Sequence, residues 1–200
     1  MVVVCFLQML TFTFPLCLIA FGVNDAYDYY SDIVNPRKSD TSVEGIILNP
    51  AHRHIVLRGA IVSSINTIGI SLLPSYLAPA HLSNQQKYMP TISTVSLITV
   101  FWVYSAPPLR LKERPFLDSF SNGVMIWLTW SVGFVSCSNM VGQSRSPMDA
   151  PIEIYMLSLA ASTVHALAAA ADIEADVSAG FTTIATVLGR RGVGQFGTLI

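Results

Sequence analysis

The stretch Asn24-Asp25-Ala26-Tyr27-Asp28-Tyr29-Tyr30-Ser31-Asp32 decides how this chain is read. It follows directly on Val2 to Val23, an apolar run without a charge. Helical periodicity places Asp25, Asp28 and Asp32 (i, i+3, i+7) on one face, with Asn24 beside Asp28 at i+4. Like charges on one face repel, and they weaken a helix that has no cation between them. A second cluster, Asp172-Ile173-Glu174-Ala175-Asp176, also follows an apolar run, and Asp172 and Asp176 again share a face. Two acidic helix ends, each after a membrane-length apolar segment, point to one divalent-metal site. Its candidate ligands are Asn24, Asp25, Asp28, Asp32, Asp172 and Asp176.

Composition agrees with a membrane setting. Hydrophobic residues make up 52% and charged residues 12% of the 200 residues, with a mean hydropathy of +0.54. Soluble proteins average about 25% charged residues, so an integral membrane protein is expected. A net charge of −1 argues against nucleic acid as a partner. Cys5, Cys17 and Cys137 lie in apolar runs without metal or disulfide spacing and read as small buried hydrophobes. No basic region precedes the first run and no small-residue cleavage site follows it, so a retained helix is expected.

Five spans are expected, as an all-α polytopic transmembrane bundle in a single domain. They cover Val2 to Tyr30 with a kink at Pro15, Ile55 to Leu77, Thr91 to Ala106, Leu117 to Cys137, and Pro151 to Ala171. The polar stretch Gly180 to Arg191 then leads to Gly192–Ile200, the start of a sixth. Nine of the eleven Lys and Arg fall in the first, third and fifth loops. That asymmetry makes those loops, and both acidic clusters, cytoplasmic.

An ionised group at mid-bilayer costs roughly 2.5–3.5 kcal/mol on insertion scales, so the gathered acids imply a ligand. Hard oxygen donors suit Mg²⁺, which completes its shell with water and substrate phosphates. Arg110 and Lys112 are candidates for phosphate oxygens, Arg as a fork and Lys as a point charge. A diphosphate with an apolar tail fits such an interfacial site. Mg²⁺ and the basic pair would neutralise the departing diphosphate. Aromatic faces (Tyr27, Tyr29, Tyr30, Trp102, Tyr104) would stabilise the allylic cation, and the helices would keep water away.

These residues resemble the UbiA superfamily of intramembrane prenyltransferases. Its first motif, N-D-x-x-D-x-x-x-D, is matched by Asn24, Asp25, Asp28 and Asp32. Its second, D-x-x-x-D, is matched by Asp172 and Asp176. The intervening Y-S-x-P-P-x-[RK]-x-K is matched by Tyr104, Ser105, Pro107, Pro108, Arg110 and Lys112. The resemblance implies Mg²⁺-dependent transfer from a prenyl diphosphate to a lipophilic acceptor. Asp25, Asp28, Asp172 and Tyr104 would be catalytic, and Arg110, Lys112, Arg37 and Lys38 would hold diphosphate. The family typically has nine transmembrane helices, so this chain corresponds to helices two to six and part of seven, truncated at both ends.

The chain departs from the family pattern in places. Aromatic prenylators often carry R-P-[LI] after the first motif, where this chain has Pro36-Arg37-Lys38. Ala175 stands where Gly usually precedes the last Asp. The segment Thr182 to Gly189, with His165 seven residues before Asp172, resembles the carotenoid-elongating branch. His165 reads equally as a group touching metal ligand or acceptor and as a packed histidine. Intramembrane carboxylates also mark ion pathways, which keeps a cation transporter or channel as the competing class. An inactive family remnant is a third reading.

Overall fold

The computed structural model describes residues 2–35, 38 and 46–198, and these residues form helices with no strand among them. Pro15 has no N–H to give to the carbonyl of Thr11, and helix α1 (Val2–Thr11) ends there. A short α2 (Phe14–Cys17) carries Pro15 in its first turn. A five-residue π turn, Leu18–Gly22, then enters α3 (Val23–Asp32), which holds the first motif. A Cβ at Gly22 would lie 2.8 Å from Leu18 Cδ1 and 3.0 Å from Val56, so the missing side chain lets α3 approach α4 (Arg53–Ser71) closely. The expected first span and its interruption at Pro15 are both present.

After the short α5 (Leu73–Leu77) comes α6 (Asn84–Ser105), starting well before the expected Thr91. A capping box explains the early start. Ser83 Oγ accepts from Gln86 N at 3.3 Å and Gln86 Oε1 accepts from Ser83 N at 2.9 Å, which satisfies two orphan donors. Pro90 lies inside this helix and leaves the Gln86 carbonyl without its helical donor. The fully buried Asn139 supplies one, donating to Gln86 O at 3.0 Å and Lys87 O at 2.9 Å. Helix α7 (Leu117–Met140) packs along α6 over Leu97, Met125, Leu128 and Val132. It meets α8 (Ile152–Ala169) at Gly123, where a Cβ would stand 2.5 Å from the Ser158 carbonyl.

Four described segments are long and apolar enough to cross a membrane: Val2–Asp32, Pro50–Leu77, Leu117–Met140 and Ile152–Ala169. The third expected span corresponds to α6, whose 22 residues reach about 33 Å but are less apolar. Its buried side includes Ser93, Thr94 and Ser105.

The last part of the chain differs from expectation. Helix α8 stops at Ala169, and a separate helix α9 (Ile173–Ala179) begins after Asp172. Gly180, at φ +77°, ends α9: the Phe181 N–H reaches the Asp176 carbonyl at 2.8 Å, a closure that needs the left-handed conformation. Helix α10 (Ile184–Thr198) therefore starts inside the stretch expected to be polar loop, and it turns at Gly189. Ile184, Ala185 and Val193 bury it against Ala166 of α8.

Candidate active site

Seen along α3, each residue advances about 100°. Asn24, Asp28 and Asp32 therefore follow one another in 40° steps on one arc, while Asp25 stands about 60° beyond Asp28, at the outer edge. Asp28 and Asp32 are buried and, with Asn24, line a cavity of about 270 Å³. Asp172 and Asp176 line the same cavity from the other side. Just beyond the first cluster, Asn35 reaches the second: its Nδ2 donates to Asp172 Oδ1 at 3.3 Å. Asp25 differs from expectation. It lines a neighbouring cavity of about 400 Å³ with Tyr27, Tyr29, Tyr30, Arg53 and Arg110.

Lysines hold the acids of the first motif. Lys112 forms an ion pair with Asp28 and donates to Asn24 Oδ1 at 3.2 Å. Lys38 lies 3.1 Å from Asp25 Oδ1 and 3.4 Å from Asp32 Oδ2. Burial pushes the Lys112 ammonium down to about 7, while Glu113, Asp25 and Asp176 favour its charge. Burial also pulls Lys38 down, but Asp25 and Asp32 outweigh it and raise the group overall. Burial, reinforced by Asp172, pushes the Asp176 carboxyl up to about 6. Arg110, in the left-handed region at φ +42°, pairs with Glu113 and stands 3.9 Å from Asp28 Oδ1. Its guanidinium lies over the Phe181 ring at 5.4 Å. Arg37 lies outside the described residues.

Among the described residues, no three His, Cys, Asp or Glu side chains stand as a ready ion site. Lys112 sits between Asn24 and Asp28, and Lys38 between Asp25 and Asp32. The donor chemistry nonetheless suits a hard divalent cation. It consists of carboxylate and amide oxygens, and the buried Asp32 Oδ2 accepts no well-formed hydrogen bond. An incoming cation and an anionic ligand can exchange with the lysines in opposite senses.

Two further polar groups were not singled out from the sequence. Asp118, 1% exposed, accepts from Ser119 N and from Ile184 N, both at 2.8 Å. It caps α10 and ties it to the start of α7. An acid at the first turn of an apolar span was the available signal. The second group is Asn122 with Ser119, which join His165 and Tyr104. Tyr104 Oη lies 2.9 Å from His165 Nε2, and His165 Nδ1 lies 3.1 Å from Ser119 Oγ. Of the expected aromatics, Tyr104 alone lines the carboxylate cavity. Trp102 instead donates to Ser64 Oγ at 3.1 Å. Glu174 is exposed and pairs with Arg190 at 2.7 Å.

Tyr104 and Asn24 also line a third cavity, about 430 Å³ and mainly apolar, between α7 and the first span. A polar chamber at one end of the bundle thus adjoins an apolar one running into it.

A bundle of long apolar helices with a carboxylate–lysine chamber at one end defines an integral membrane protein with a polar site among its helices. The UbiA prenyltransferase family matches residues 3–200, and the chain belongs to that family; with its apolar helices, it is an integral membrane protein. Among curated relatives, the chain is 36% identical over 182 residues to a "Lycopene elongase/hydratase" of Corynebacterium glutamicum, covering 90% of this chain and 57% of that protein. It is 31% identical over 185 residues to one of Haloarcula japonica, covering 90% and 53%. It is 32% identical over 181 residues to the "C(50) beta-cyclic carotenoids biosynthesis protein LbtBC" of Dietzia sp., covering 90% and 38%. The chain spans little more than half the length of the first of these relatives. No solved structure matches significantly.

Proposed function

We propose that this protein transfers a prenyl group from a prenyl diphosphate to a lipophilic acceptor inside the membrane, with Mg²⁺ bound by the two aspartate motifs. The names of the relatives favour a carotenoid polyene as acceptor. The observation that carries the reading is the junction of the two cavities at Asn24 and Tyr104: an anionic head and an apolar tail have adjoining places.

Asp28, Asp32, Asp172 and Asp176 provide the metal oxygens, with Asn24 Oδ1 beside them. Bound Mg²⁺ supplies charge neutralisation to the departing diphosphate. Lys112 moves from Asp28 to a phosphate oxygen, Arg110 offers a second contact, and Lys38 closes the chamber from the loop. Leu16, Ala20, Phe21, Phe101 and Met125 receive the tail. Lipid tails are as apolar as these side chains, so tail burial adds little net affinity and the head group carries the binding. The Tyr104 ring, at the neck, faces the carbon that becomes cationic. The distribution of Lys and Arg supports a chamber on the cytoplasmic side.

The test is Mg²⁺-dependent diphosphate release from a panel of prenyl diphosphates in proteoliposomes, with lycopene as acceptor. Asp28→Ala and Asp172→Ala should each reduce it by two or more orders of magnitude. Full release in both variants would refute the shared site, and cation flux without diphosphate turnover would favour the transporter class.

A further inference from the structure

Four side chains, Asn122, Tyr104, His165 and Ser119, form a hydrogen-bonded chain where the two cavities meet. Asn122 Nδ2 stands 2.8 Å from the Asp118 carbonyl and 3.3 Å from Tyr104 Oη. A carbonyl only accepts, so that atom is the amide nitrogen and it donates to both. Tyr104 Oη accepts from Asn122 and lies 2.9 Å from His165 Nε2, a contact open to either imidazole tautomer. In the tautomer with its proton on Nδ1, toward Ser119 Oγ at 3.1 Å, Nε2 accepts from the tyrosine hydroxyl. That tautomer is a neutral histidine with its basic nitrogen aimed at a tyrosine hydroxyl. One lone pair of that hydroxyl is left over.

We propose that Tyr104 and His165 take up the proton released when a prenyl group joins an alkene acceptor; this rests on the prenyl-transfer reading above. The C–O bond of the prenyl diphosphate breaks, and its electron pair leaves on the diphosphate oxygen. The allylic carbon bonds to one carbon of the acceptor double bond, using the π pair, and positive charge forms on the other. The neighbouring C–H bond gives its pair to a new double bond. Its proton passes to Tyr104 Oη while the tyrosine's own proton passes to His165 Nε2, which leaves an imidazolium. Among the residues lining the apolar cavity, Tyr104 is the one whose hydrogen bond leads to a base. Charged groups sharing the cavity with His165 are Asp28 and Asp32 from α3, Asp118 from α7, Asp172 and Asp176 around α9, and Lys38 and Lys112 from the loops. Carboxylates outnumber ammonium groups there, which favours holding the new charge until the proton leaves. Tyr104 is the group that touches substrate; His165 acts through it.

The test compares the complete chain with His165→Gln and Tyr104→Phe in proteoliposomes containing lycopene and a prenyl diphosphate. Diphosphate release and coupled carotenoid product are measured separately. Gln can still accept from the tyrosine through its amide oxygen but cannot take a proton. General-base loss of this kind typically removes a factor of about 10²–10⁴ from the step. The ratio of coupled, deprotonated product to diphosphate should therefore fall at least about tenfold in both variants, with water-quenched products rising. The acid limb of that ratio against pH should disappear in His165→Gln. An unchanged ratio and an unchanged acid limb in both variants would overturn the relay while leaving prenyl transfer intact. Wild-type protein that releases no diphosphate with Mg²⁺ would overturn prenyl transfer itself, and the relay with it.

Discussion

Replacing Lys112 by Met should change two affinities in opposite directions. The ammonium is about nine-tenths buried and occupies both Asn24 Oδ1 and Asp28 Oδ1. A cation entering the chamber competes with it for those oxygens, whereas an incoming diphosphate gains it as a donor. Hydrogen bonds to charged groups contribute about 1.5–3 kcal/mol each, and about 1.4 kcal/mol is tenfold in affinity. Lys112→Met should thus tighten Mg²⁺ binding to the substrate-free protein by about 10- to 100-fold. It should weaken binding of an unreactive prenyl diphosphate analogue, at saturating Mg²⁺, by a similar factor. Asp28 then keeps only Arg110, at 3.9 Å, so the metal-free variant is destabilised by up to about 3–5 kcal/mol, the cost of an uncompensated buried charge. Adding Mg²⁺ should recover most of that loss. Metal titrations followed by thermal unfolding, together with analogue binding, read both quantities. If Lys112→Met weakens Mg²⁺ and analogue alike, the lysine is not a placeholder for the cation and the exchange described above is wrong.

Asp176 sets a pH dependence. Its folded value of about 6 lies above the usual 3.8, so the folded protein binds more protons than the unfolded chain between those values. Stability of the metal-free protein should therefore decline as pH rises through that window. Apparent Mg²⁺ affinity should increase by up to about tenfold per unit up to about 6 and then level off for this group. Asp176→Asn should flatten both profiles. At the opposite end of the bundle, Asn139→Leu leaves the Gln86 carbonyl without a donor and should cost about 1–3 kcal/mol in denaturant unfolding. Pro90→Ala restores an N–H at that turn, so most of the loss should vanish in the double variant. An additive pair would show that Asn139 does not serve the proline break.

Much of the site was legible because both motifs are local and periodic. Spacing alone places Asn24, Asp28 and Asp32 on one arc, and the apolar runs before the two clusters put both at helix ends. Asp25 lies only about 20° beyond Asp32 around the helix and shares Lys38 with it, yet it lines the next cavity; spacing along one helix does not tell which cavity a side chain enters. The start of α6 was also written in the chain, as Ser83-x-x-Gln86. Hydropathy hid it, because the first turns of that helix are polar. Helix α10 could not be found by apolarity. Its start is marked locally by Thr183 and Thr186, which exchange backbone-to-hydroxyl hydrogen bonds at 2.8 and 3.3 Å, while the second acceptor there, Asp118 for the Ile184 N–H, comes from another helix and has no local signal. The relay had one visible member, His165. Its partners lie 46 and 61 residues away, so only the packing of α6, α7 and α8 reveals that the histidine is both packed and at the site.

The pairing of acids with lysines explains how such a chamber persists inside a membrane protein without its ligands. Gathered carboxylates near a bilayer would repel one another and draw water or protons. Lys38 and Lys112 remove that repulsion at the first motif, where the acids are most deeply buried. At the second motif, burial and Asp172 make Asp176 hold its proton more tightly. Lysine pairing and proton retention together keep the site near neutral. Each means is undone by one component of a metal–diphosphate complex: the anion recruits the lysines, and the cation displaces the proton. Neither component alone undoes both. On this argument metal and diphosphate should bind cooperatively, and chemistry should begin only once both are present.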